Sequence, residues 1–79
     1  MNFLFNYDYV ISHVNNPSLK KQIQDVILEQ EGKMEVFNWM KLIRIIMNMI
    51  QMSSEEEILR IFPKIYPKIV LEAKKYTFT

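Results

Sequence analysis

The chain has no cysteine and one each of glycine, histidine and tryptophan in 79 residues. Without cysteine there is no disulfide framework, thiolate nucleophile or cysteine-ligated metal site. A small domain lacking such staples suits a reducing compartment, so a cytoplasmic location is expected. With Gly32 the only glycine, no glycine-rich phosphate loop can form. His13 has only Asp8 and Ser12 near it in sequence, neither well phased with it on a helix, so it reads as structural or exposed. A metal would fall to carboxylates alone, and Glu55, Glu56 and Glu57, being consecutive, splay around a helix instead of converging. No Ser/His/Asp set has supporting motif context. The expectation is a protein that is not an enzyme and carries no metal or cofactor.

Other absences narrow the class further. The opening MNFLFNYDYVISHV lacks the basic n-region and small-residue cleavage site of a secretory signal. The longest apolar stretch is too short to span a bilayer comfortably, and Lys41 and Arg44 sit in its middle, so no membrane span is expected. That stretch also lacks the strongly basic polar face of an interfacial membrane helix. Charge of one sign is scarce too. The net charge of +1 divides into −1 over residues 1–33, +1 over 34–52, −3 over 53–59 and +4 over 60–79. This mild dipole falls short of the basic bias of a dedicated nucleic-acid binder.

What the chain has is apolar side chains, at 49% of residues. One domain over residues 1–79 is expected. A chain of this size buries only about 60% of its unfolded surface, so so high an apolar content calls for a second copy or a protein partner to cover the excess. The apolar residues concentrate in Val36–Met52. At 100° per residue its polar members Asn38, Lys41, Arg44, Asn48 and Gln51 share an arc of roughly 140°. Everything else on that helix is apolar, so it must be covered on three sides. A central helix over about 34–52 is the expected post of the fold.

The flanking elements follow from punctuation. Asn16 is a good N-cap and Pro17 suits a first helical position, which starts a helix over 17–31. Leu19, Ile23, Val26, Ile27 and Gln30 line one face of it, while Asp25 and Glu29 turn outward. Gly32 fits the left-handed residue beyond its end, and the short link folds the central helix back as a hairpin. Ser54 with Glu57 forms a capping box for a helix over 55–62, which Pro63 is expected to end. An aromatic-Pro-Lys-Ile unit then occurs twice, as Phe62–Ile65 and Tyr66–Ile69, and a last helix is expected over 65–76. Residues 2–14 fit a helical stripe and also a strand alternation. Helix is preferred, because a lone two-stranded ribbon is marginal.

The predicted fold is therefore all-α, a compact bundle of four to five helices around 34–52. Met34, Met40, Met47, Met49 and Met52 crowd the central helix, and methionine serves both irregular cores and adaptable binding surfaces. Trp39, Met40 and Met47 are the candidate partner-binding residues, Trp39 as an interface anchor if it is not in the core. Arg60, Lys64, Tyr66, Lys68 and Lys75, with Lys74 beside them, form a basic and aromatic C-terminal third that is a candidate anion or nucleic-acid contact. A helix-turn-helix reading fails, because the second helix would present isoleucine and methionine to the major groove. Abundant Ile, Lys, Asn and Met with few Gly and Ala point to an AT-rich genome. An intact Met1 and small size fit an accessory protein of a phage, virus or mobile element. The functional expectation is a non-enzymatic interaction module, homodimeric, acting as inhibitor, adaptor or regulator of a larger protein. The alternatives are a nucleic-acid-binding regulator and an immunity or antitoxin-like neutralising protein.

Overall fold

A computed structural model describes Asp8 and residues 11–75 of the chain. Among them are three helices and no strand: α1 over Pro17–Gln30, α2 over Val36–Met52 and α3 over Glu55–Lys74. All three pack against one another, α2 with α3 most extensively. The all-helical expectation holds at that level. The number of helices does not: three stand where four to five were predicted.

The missing count has two sources. The helix predicted over residues 2–14 lies mostly outside the described residues. Within that range Asp8, Ile11 and Ser12 have helical backbone, and Val14 enters the core with 1% of its surface exposed. The second source is a misread stop signal. The segments expected as two helices, 55–62 and 65–76, form one continuous α3 with Pro63 and Pro67 inside it.

Physical placement explains how α3 survives two prolines. Pro63 removes the N–H that the Leu59 carbonyl would accept, and Pro67 removes the one due to Pro63. Spacing by four puts both defects on one side of the helix. Both prolines are exposed, so water can satisfy the carbonyls left without a helical donor. The side facing the other helices carries Ile58, Phe62 and Ala73, all buried, with Ile69 and Val70 packed against the core.

The predicted caps are present. The Asn16 side chain accepts from the backbone N–H of Ser18 and Leu19 at 2.9 and 3.0 Å, with Pro17 in the first turn. Gly32 has φ +82°, the left-handed conformation that ordinary side chains resist. Ser54 accepts from the Glu57 N–H at 3.2 Å. The central helix starts at Val36 rather than Met34, and its N-cap, Glu35, makes no side-chain capping bond.

One core joins all three helices: Leu19, Ile23 and Ile27 from α1, Leu42, Ile43 and Ile46 from α2, Ile58 and Phe62 from α3. No polar or charged residue among the described ones is buried. With two partner helices, α2 is covered on its core side only. Val36, Phe37 and Met52 stay exposed, and Met40 and Met47 are half-buried.

Candidate interaction surfaces

Trp39 is a core residue in this structure. It is 6% exposed, and its indole Nε1 donates to the Ile27 carbonyl at 2.8 Å. That bond crosses the α1–α2 hairpin and answers the polar need of a buried tryptophan. Met40 and Met47, seven positions apart, lie on one flank of α2. They share that flank with Val36 and lie away from Leu42 and Ile46, so a partner could reach them while Trp39 stays sealed.

Large apolar side chains reach solvent at both ends of the bundle, Met52 at 84% beside the 53–54 link and others at the opposite end. Leu28 on α1 is 50% exposed, and Val36 and Phe37 at the start of α2 are 58% and 59% exposed. Residues 29–35 separate Leu28 from Val36, a span that contains the turn between α1 and α2. Leu71 on α3, 64% exposed, returns to this level. The two-residue link 53–54 makes α3 fold back along α2, and both Val36 and Leu71 stand about 24 Å along their helices from that link. Sequence reasoning missed Leu28, Phe37 and Leu71 because a single apolar residue on a polar face carries no periodic signal.

The basic C-terminal third is less uniform than its composition suggests. Arg60 approaches Glu57 at 4.0 Å and Lys75 pairs with Glu72 at 3.1 Å. Lys64 and Lys68 make no ion pair among the described residues and share the outward side of α3 with Arg60 and Lys75. Tyr66 stands apart from them. Its ring stacks on Phe62, with centroids 6.0 Å apart and planes at 29°, and it lines an open groove between α1 and α3. That groove, of about 270 Å³, has Gln22, Asp25, Val26 and Glu29 on one wall and Phe62, Pro63 and Tyr66 on the other.

No protein-family model, curated protein or solved structure matches this chain. Among the described residues no group of His, Asp and Glu is placed to hold a metal ion, and no helix is long and apolar enough to cross a membrane. His13 is exposed and its Nδ1 lies 3.3 Å from the Ser12 hydroxyl.

Sequence reasoning also missed the contact that ties the ends of the fold together. The Glu55 carboxylate accepts from the backbone N–H of Asn15 at 2.8 Å and of Asn16 at 2.7 Å. Glu55 stands in the first turn of α3, where its charge also complements the helix dipole. Three consecutive glutamates that splay around a helix carry no sequence signal of this long-range role.

Proposed function

We propose that this protein is a non-enzymatic interaction module that docks an apolar surface on a protein partner, with a second copy of itself as one such partner. The observation that carries this reading is the apolar surface α2 leaves outside the core, with Val36 and Phe37 exposed and Met40 and Met47 half-buried. Isolated exposed apolar residues such as Leu28 and Leu71 need no explanation, whereas several along one helix mark a candidate interaction surface. Met40 and Met47 extend the surface along α2 with flexible side chains that adapt to a partner's shape. Trp39 supports it from beneath by locking the hairpin. An inhibitor, adaptor or regulator would act through this surface by occlusion, with the free cations of α3 steering approach to an acidic target.

The nucleic-acid alternative has weaker support. Two of its basic groups, Arg60 and Lys75, stand beside carboxylates, and Tyr66 turns into the α1–α3 groove instead of along the basic stripe. Light scattering across protein concentration, at low and high salt, tests the preferred reading. The wild type is expected to dimerise independently of salt, and Phe37→Asp and Met47→Glu to shift it to monomer while Lys68→Ala does not. Full association by both apolar variants would remove the physical basis of the proposal.

A further inference from the structure

The α1 wall of the groove departs from ordinary helix electrostatics. Asp25 and Glu29 are four residues apart on one face, where like charges repel. Glu29 also stands in the last turn of α1, and Glu31 follows as its C-cap. There the helix dipole is itself negative and a basic residue is the usual complement, yet that turn has none. Lys21 offsets Asp25 alone, at 3.0 Å, through a pair with side chains 76% and 62% exposed, which is weak and exchangeable. Glu29 makes no ion pair among the described residues. Facing these carboxylates is the stacked Phe62–Tyr66 pair. Two neighbouring carboxylates, only one of them ion-paired, opposite an aromatic wall are the kind of local inconsistency found at functional positions.

We propose that the α1–α3 groove receives an arginine side chain of a protein partner. The guanidinium lies between the Asp25 and Glu29 carboxylates on one wall and the Tyr66 ring on the other, with its aliphatic stem along Val26 and Pro63. Arginine fits better than lysine, because a planar guanidinium stacks on an aromatic ring and meets carboxylates through several donors at once. At about 270 Å³ and open to solvent, the groove is smaller than the roughly 300–1,000 Å³ of pockets that engulf free ligands. It suits a side chain delivered on a partner's surface. The inference rests on the reading of this chain as a protein-docking module and adds a polar specificity element to the apolar surface of α2.

The test is an NMR titration of the ¹⁵N-labelled full chain with penta-arginine, penta-lysine and penta-glutamate peptides at low salt. Penta-arginine is expected to shift the amides of Asp25, Val26, Glu29 and Tyr66 saturably and to bind several-fold more tightly than penta-lysine, with penta-glutamate inert. Asp25→Asn with Glu29→Gln should weaken penta-arginine binding about tenfold, the scale of lost charge-assisted contacts. Tyr66→Leu should weaken it several-fold. Glu56→Gln with Glu57→Gln removes the same charge elsewhere and should leave it unchanged. Equal weakening by the two double variants, or shifts spread over every acidic residue, overturns the proposal as general charge attraction. Loss of this site with dimerisation still sensitive to Phe37→Asp would sink the groove alone and leave the apolar docking surface standing.

Discussion

Glu55 illustrates how a single side chain can hold a topology that packing alone leaves loose. Its two oxygens accept from adjacent N–H groups at Asn15 and Asn16, 40 and 39 positions away in sequence. These are charge-assisted bonds, each stronger than its neutral counterpart. Glu55→Ala removes both bonds, the Asn15 one exposed and the Asn16 one part-buried, and should cost about 1–2 kcal/mol in thermal or urea unfolding. Glu56→Ala, one residue along and exposed, should stay within about 0.5 kcal/mol of wild type. If the two variants cost the same, the clamp contributes nothing beyond the helix dipole. Gln30 is the opposite case. It was placed correctly on the inward face of α1, yet its Oε1 is buried with no hydrogen-bond partner among the described residues. Position was readable from periodicity, whereas satisfaction of a side-chain oxygen depends on neighbours that periodicity does not name.

The three helices differ in how much of each was legible. In α1, local chemistry and tertiary structure agree: Asn16, Pro17 and Gly32 each do at the boundary what their covalent structure favours. In α2, the apolar arc contained the core face at Leu42, Ile43 and Ile46 without singling it out. It did not decide whether Trp39 belonged to core or surface, because that depends on an Ile27 carbonyl from another helix. In α3, a rule correct for the isolated chain gave two helices where there is one. Interior proline costs about 3 kcal/mol against alanine, and burial of Ile58, Phe62 and Ala73 along one continuous face outweighs it by holding the helix together across both defects. The penalty is therefore still present in the folded protein. Pro67 is exposed and outside the groove, so Pro67→Ala should return a hydrogen bond at little expense. Part of the gain is cancelled, since proline also restricts the unfolded chain by about 0.4–1 kcal/mol. A net stabilisation of about 2 kcal/mol is expected, raising Tm by about 4–8 °C per kcal/mol for a domain of this size. An unchanged or lower Tm would mean that the α3 backbone has already relaxed around the proline.

For the whole molecule, the decisive quantity is how many helices surround how much apolar surface. Composition pointed to an excess, and periodicity assigned most of it to the central helix, which carries three of the six exposed large apolar residues among those described. Neither could say where the excess emerges, because that depends on which sides α1 and α3 leave uncovered. Leu28, Leu71 and Met52 are exposed singly, and the adjacent pair Val36 and Phe37 emerges at the starting end of α2. This placement separates two accounts of stability. In a monomer Phe37 is an exposed side chain, and replacing it by aspartate should change stability by no more than about 0.5 kcal/mol. In a dimer formed through this end, unfolding is linked to dissociation, so stability depends on protein concentration. Each tenfold increase in concentration then adds about 1.4 kcal/mol per dimer. Thermal melts of the wild type over a hundredfold range should show Tm climbing with concentration, and Phe37→Asp should give a flat line meeting the wild-type curve at its dilute end. A wild-type Tm independent of concentration would exclude a second copy as the occupant of this surface and leave it to a different protein.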